Sequence, residues 1–449
     1  MRLVSTILAA IVVMAVATPT FACEGTVTIG EGPSQIVTPV PNAPIGKQCL
    51  NDLLIDTVSE GANYGSHGEF MIDVVELMLP LAEQQQLSWR DAAAILRAAL
   101  RSEVGNTLRV RVIAFNDFHG NIDGANLTLR SDADGIFHSN TANQRSAVPA
   151  GGVDYMAGLV KQLKDGAPNS VVVSAGDLIG ASPLNSALFH DEPTIETMNL
   201  LGLDFNAVGN HEFDEGRDEL LRMQQGGCHP TDPNSCQGEA VGTPAPFEGA
   251  KFTFLAANVV DTHSKQTLFP AYDVKDFKAQ RVAFIGMTLK GTPSIVTPSG
   301  VAGLAFNDEA QTVNDLIASL KKHGVESIVV LVHEGGAPVA GTSINGCTGF
   351  SGALVDIVKR LDDAVDLVIS GHTHQAYNCM LPNSVGRNIA VTSAGSFSRL
   401  ITHIDITIDT RTHDVVAVQA TNNLVDRNNI LGAAVPIQPV QKISKIVAA

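Results

Sequence analysis

The chain has 449 residues, 45% of them hydrophobic, and a formal net charge of −17. That length allows more than one domain, and that apolar share excludes global disorder. The acidic balance leaves no basic surplus to neutralise phosphates, so no nucleic-acid polymer is expected as a partner, and any pull on a small anion must be local.

Residues 1–22 read as an export signal. Arg2 gives a positive start, "LVSTILAAIVVMAVA" an apolar core, and "TPTFA" small residues before a cut after Ala22. The apolar run is short for a spanning helix and lacks a stop-transfer flank, so a periplasmic or secreted chain without a stable membrane span is expected. Cys23 directly follows the cut, as in a lipoprotein, but bulky Phe21 makes "TFAC" a poor lipobox. Six cysteines in an exported chain suggest three disulfides. Proximity favours Cys228 with Cys236 across the turn-rich "CHPTDPNSC", then Cys23 with Cys49 and Cys347 with Cys379. None has the C-x-x-C spacing of a structural zinc site.

Residues 23 to about 46 are rich in Gly and Pro and are expected to be irregular. Residues 47–104 read as a small helical extension. "GEFMIDVVELMLPLAEQQ" has apolar residues at helical spacing, with Pro80 expected to kink or break it. Ser88 heads a Ser-x-x-Asp start, followed by an Ala/Leu/Arg body and a closing Gly105. From about residue 109 apolar strands alternate with amphipathic helices. "LRVRVIAF", "SVVVSAG", "DFNAVGN", "RVAFIGMT", "ESIVVLVH", "DLVISGH" and "NIAVTSAG" read as strands. "VDYMAGLVKQLKDG", "EPTIETMNLLG", "DEAQTVNDLIASLKKHG" and "SGALVDIVKRLDD" read as helices. The alternation predicts an α/β fold, and "RLITHIDITIDT" with "DVVAVQATNN" predicts antiparallel strands ending a sheet.

Five of these strands stop at residues able to bind a metal. "VIAFNDFHG" ends with Asp117 and His119, "VVVSAGDLIG" with Asp177, and "NAVGNHEFD" with Asn210, His211 and Asp214. "IVVLVHEGG" ends with His333, and "LVISGHTHQ" with His372 and His374. Singly, each has a bland reading: a polar loop, a helix cap, a satisfied core histidine. Together, at strand ends and with glycine close by, they point to one site, because α/β folds gather their sites at the carboxyl ends of strands. The Asp/His/Asn donors suit manganese, iron, cobalt or zinc. They are too many for one tetrahedral ion and suit two, about 3.5–4 Å apart and bridged by a carboxylate.

The ordered set "NDFHG", "AGDLIGAS", "GNHEFDEG", "LVHEGG" and "SGHTHQ" resembles the calcineurin-like metallophosphoesterases, and within them the secreted 5′-nucleotidase and cyclic-nucleotide phosphodiesterase group. The resemblance covers roughly residues 109–425. It implies a four-layer α/β/β/α sandwich and two divalent transition metal ions. Asp117, His119 and His374 would hold one metal, Asn210, His333 and His372 the other, and Asp177 both. His211 would be catalytic and Asp214 would orient it, while Glu212 would have a structural hydrogen-bonding role. The implied reaction is attack of a metal-bound hydroxide on a small phosphate ester, with nucleoside monophosphates or cyclic nucleotides as the expected substrates. Its rivals are a general phosphomonoesterase, a sulfur-ester hydrolase of the same fold, and a non-catalytic binding protein on this scaffold. Secreted 5′-nucleotidases of this type usually carry a second, C-terminal domain that grips the base. Here residues 426–449 resemble the start of an interdomain linker, so weak discrimination between bases is expected.

Overall fold

A computed structural model describes residues 23–30, 35–58, 64–131, 137 and 146–449. The expected export signal lies outside these residues. The chain divides into two compact units, Met1–Asn106 and Thr107–Ala449.

In the first unit, the Gly/Pro-rich segment is not irregular. Thr26–Ile29 pairs antiparallel with Ile36–Pro41, and Pro44–Ile45 with Gln48–Cys49. The period-2 pattern of "TVTI" explains the first pair, since Val27 and Ile29 point into the core while Thr26 and Thr28 do not. Helices follow at Leu50–Val58, His67–Glu83 and Trp89–Arg101. Pro80 does not end its helix, which continues to Glu83. Ser88 caps the next helix as expected, its Oγ accepting the Asp91 backbone N–H at 3.0 Å.

The second unit's main strands are, in order, β1 (Thr107–Phe115), β2 (Ser170–Ser174), β3 (Phe205–Ala207), β4 (Thr253–Leu255), β5 (Tyr272–Phe277) and β6 (Gln280–Thr288). They continue with β7 (Ser327–His333), β8 (Leu367–Ser370), β9 (Ala376–Pro382), β10 (Asn388–Ala394), β11 (Leu400–Asp409) and β12 (Val415–Leu424). The main helices are α1 (Val153–Lys164), α2 (Glu192–Leu201), α3 (Arg217–Gln225), α4 (Glu309–Lys322), α5 (Ala353–Arg360) and α6 (Gln441–Val447). Two six-stranded sheets result, ordered β4-β3-β2-β1-β11-β12 and β5-β6-β7-β8-β10-β9. β1 to β4 run parallel in the first, and β6, β7, β8 and β10 in the second. β11 joins β1 antiparallel and pairs with β12, the sheet-ending strands expected from the tail.

Side-chain alternation builds the four layers. Val110, Val112 and Ala114 of β1 meet Val329 and Leu331 of β7 between the two sheets. Ile113 and Phe115 point the other way, onto Val153, Met156 and Val160 of α1 and Ile195 and Met198 of α2. Across the second sheet, Ile328, Val330 and Val332 face Val313 and Ile317 of α4 and Leu354 and Val358 of α5. This is the expected α/β/β/α sandwich. The last residues form α6, whose Ile443 is buried in the first helical layer and whose Ser444 Oγ donates to Asp154 Oδ2 at 2.8 Å. Three disulfides close at Cys23–Cys49, Cys228–Cys236 and Cys347–Cys379, the expected pairs. Among the described residues no helix is long and apolar enough to cross a membrane.

Candidate metal centre

The parallel strands β1, β2 and β3 of one sheet and β7 and β8 of the other all release their chains at the carboxyl end, and the polar residues predicted from the sequence follow directly. The turns are tight. Asp117, His119, Asp177, His372 and His374 all adopt left-handed backbone, with φ of +49°, +48°, +49°, +70° and +58°. Non-glycine residues rarely accept this conformation, and clusters of them mark sites where packing holds the chain against its preference. The intervening glycines allow the close approach. Gly176 has φ +92°, and a Cβ there would meet His333 Nδ1 at 2.6 Å, while one at Gly209 would run into the Asp177 carboxylate.

Two triads form. Donor atoms of Asp117, His119 and His374 lie within 4.8 Å of one another, as do those of Asp177, His333 and His372. Asp177 Oδ2 is 2.9 Å from His333 Nε2 and 3.6 Å from His119 Nε2, so it stands between them. His119 Nε2 is 3.1 Å from His374 Nε2, and His374 Nε2 is 3.3 Å from Asp117 Oδ1. The imidazoles are oriented from behind. His119 Nδ1 meets the Gly180 carbonyl at 2.9 Å, and His333 Nδ1 the Ala175 carbonyl at 2.8 Å. A Nδ1–H bonded to a carbonyl leaves each Nε2 lone pair aimed into the site.

The centre asks for positive charge. Burial alone would raise the Asp177 carboxyl, but His333, His119 and His211 outweigh it and hold Asp177 below the usual carboxylate range. Burial would likewise lower His333, yet Asp177 and Asp117 push it up. Asn210 Oδ1 is buried without a hydrogen-bond partner, although buried polar atoms normally have one. Carboxylates, inward imidazole lone pairs and an orphaned amide oxygen fit divalent cations with a preference for nitrogen and oxygen ligands.

His211 is placed differently. Its Nδ1 lies 2.8 Å from Asp214 Oδ2, and both side chains are about a third exposed, 34% and 35%. Its backbone N–H donates to Asp177 Oδ1 at 2.9 Å, and its ring centroid is 5.0 Å from that of His119. The Asp214 hydrogen bond raises the His211 pKa above the ordinary imidazole value against the opposing effect of burial. Donor atoms of His211, His119 and Asp177 also lie within 4.8 Å of one another. Spacing alone therefore does not separate His211 from the ligand candidates; its exposure and its tie to Asp214 do.

Glu212 holds the frame. Its carboxylate accepts backbone N–H groups from Asp177, Leu178 and Gly209 at 3.0, 2.8 and 2.7 Å, and the Asn206 amide at 3.2 Å. One buried side chain thus ties the loop after β2 to the loop after β3.

Two neighbours escaped the sequence reading. Asn116 donates to Asp117 Oδ2 at 2.6 Å and to the Gly395 carbonyl at 2.7 Å, and accepts the Ala394 N–H at 2.7 Å. It fixes the Asp117 carboxylate, and its signal was an amide at the end of an apolar strand, "VIAFND". Phe397, which follows β10, has φ +61° and puts its ring 5.1 Å from His374 and 5.8 Å from His119, with the Arg399 guanidinium 5.3 Å from its centroid. No local pattern in "SAGSFSRL" marks it out.

Comparisons with known proteins cover the stretch of chain that carries these residues. The calcineurin-like phosphoesterase family model matches residues 110–376. The chain is 34% identical over 324 residues to the endonuclease YhcR of Bacillus subtilis, across 72% of this chain and 24% of that one. It is 26% identical over 220 residues to a 5′-nucleotidase of Vibrio vulnificus, across 49% of this chain and 34% of that one. The chain thus spans about a quarter to a third of the length of these relatives. Among solved structures, a 5′-nucleotidase precursor from Thermus thermophilus shares the fold with a TM-score of 0.56 at 22% identity, covering 76% of this chain and 58% of that one.

Proposed function

Because the chain belongs to the calcineurin-like phosphoesterases, and so is a metal-dependent phosphoric ester hydrolase, we propose that its strand-end residues hold two divalent cations over which a small phosphate ester is cleaved. Asp117, His119 and His374 hold one cation and Asn210, His333 and His372 the other, with Asp177 shared. The observation that carries this reading is the place of Asp177 Oδ2 between His333 Nε2 and His119 Nε2, at 2.9 and 3.6 Å. When bound, such a pair of ions activates water at neutral pH and neutralises charge on a phosphoryl group.

The chain's own residues do the rest. Asp214 fixes His211 through Nδ1, which leaves Nε2 to face a substrate. A protonated His211 donates that proton to the leaving oxygen or stabilises its charge. Asp214 favours the protonated form. Asn116 and Glu212 hold the ligand loops in register.

The substrate class follows from similarity. The Vibrio vulnificus relative is a 5′-nucleotidase, and nucleoside monophosphates or cyclic nucleotides are the substrates proposed here. Three disulfides favour folding in an oxidising compartment, periplasmic or outside the cell. The test is phosphate release from nucleoside monophosphates, a cyclic nucleotide and an activated aryl phosphate, after chelation and reloading with manganese or zinc. Release from the aryl ester alone would replace the nucleotide reading with a general phosphomonoesterase. Release from none would leave a binding protein on this scaffold.

A further inference from the structure

About the turn that leads into α2, a second set of metal-ligating side chains converges, and no part of the chemistry above uses it. His190 Nδ1 lies 2.6 Å from Glu215 Oε2 and 3.7 Å from Glu219 Oε1. The three donor atoms lie within 4.8 Å of one another, as in the two triads of the main centre. We propose that His190 Nδ1, Glu215 and Glu219 form a third divalent-cation site, distinct from the shared-carboxylate centre.

The surroundings are those of a ligand set. His190 Nε2 faces Asp232 Oδ2 at 3.3 Å. Carboxylates behind the second ring nitrogen support metal-binding histidines, and Asp232 is within reach of that role, although Nε2 makes no well-directed hydrogen bond as the side chains stand. Glu219 is steadied by Arg222, whose Nε and terminal nitrogen donate to it at 2.6–3.0 Å. The Cys228–Cys236 loop brings Asp232 into place. In that loop His229 stacks on His190 with centroids 4.8 Å apart and planes 7° from parallel, and His229 Nδ1 accepts the Asp232 backbone N–H at 2.9 Å. The His190 side chain is 11% exposed and Glu215 44%, so the imidazole is sheltered while one side stays open to water.

The spacing is workable. Bonds of about 2.0–2.1 Å to a four-coordinate ion put neighbouring donor atoms about 3.3–3.5 Å apart. The present separations of 2.6 and 3.7 Å straddle that range, and small side-chain rotations reach it. One imidazole and two carboxylates suit zinc, manganese or cobalt. The site also borders the proposed catalyst. Glu215 directly follows Asp214, and one small cavity of about 90 Å³ is lined by His190, Glu215 and Glu219 together with His211 and Asp214. An ion here tethers the loop that carries the His211–Asp214 pair.

The experiment counts zinc. The full chain and its variants are saturated with Zn²⁺, desalted and analysed for bound metal, with circular dichroism to establish folding. The wild type should retain three equivalents, His190→Ala two and Asp177→Asn one. Glu215→Gln, on the exposed side, should bind its third zinc at least tenfold more weakly by calorimetric titration. Equal zinc content in the wild type and a folded His190→Ala would overturn the third site and leave a protonated imidazole among carboxylates. If His190→Ala does not fold, an unchanged zinc titration in Glu215→Gln overturns it instead. Should Asp177→Asn lose no zinc while His190→Ala loses one, the shared-carboxylate reading falls and the third site stands.

Discussion

Two imidazole–carboxylate pairs in the main centre meet at nearly the same distance, His333 with Asp177 at 2.9 Å and His211 with Asp214 at 2.8 Å. The first pair is 0% and 2% exposed, the second 34% and 35%. In the first, Nδ1 is spent on the Ala175 carbonyl and Nε2 meets the carboxylate. In the second, Nδ1 meets the carboxylate and Nε2 stays free. The same two functional groups thus suit a pair of metal ligands when sealed from water. They suit a proton donor with its orienting base when half open. Which nitrogen is tied, and how much solvent reaches it, separates the two roles.

The comparison can be broken where the effects are largest. Asp177→Asn removes the shared charge, and activity should fall to background with loss of both cations from the main centre by metal analysis. A variant that keeps both would show that the buried pair is structural. His211→Asn should keep those cations and still lose about 10²–10⁴-fold in kcat, the range for general acid–base groups. Loss of metal from that variant would move His211 into the ligand set and collapse the distinction. Asp214→Asn should cost less, about tenfold in kcat, because the imidazole remains. Its sign is fixed by the hydrogen bond: Asp214 raises the His211 pKa. Without it the protonated donor is lost at lower pH, and the alkaline limb of the kcat profile should move toward acid. An unmoved limb would mean that Asp214 does not govern His211. The smallest effect is expected at Phe397, beside His374 and His119. Phe397→Ala should raise KM for an aryl phosphate severalfold, as befits an aromatic contact of about 0.5–1.5 kcal/mol, with kcat nearly unchanged.

Much of this was legible because strand ends announce themselves. "VIAFNDFHG" and "IVVLVHEGG" are apolar runs that break at a ligand type, and the parallel α/β order places such breaks at one edge. The hairpin at Thr26–Ile29 was hidden under Gly and Pro, whose local signal outweighed a short Thr/Val alternation. Pro80 does not interrupt its helix, although it removes one i→i−4 hydrogen bond from the last turn. α3 was missed although it begins right after the "HEFDEG" turn, since "RDELLRMQQ" has few apolar residues to show a period. Asn116 and Phe397 act through neighbours more than 250 positions away or from across the sandwich, and no local window contains that information. The His190 group is scattered in the same way, over a turn, a helix start and a disulfide loop.

His119 and His374 touch across 255 positions of chain, and β1 zips to β11 over a still longer gap. Non-local pairings of this kind form late and slowly. Until β7 and β8 are in place, the early half of the chain offers Asp117, His119, Asp177 and Asn210 without their opposing imidazoles. Loading of the main centre is therefore an event that follows folding and cannot guide it. Competing metals differ in affinity for such donors in a fixed order, so availability decides among them. Metal availability at the place where this chain finishes folding therefore sets the metals that the proposed centre takes.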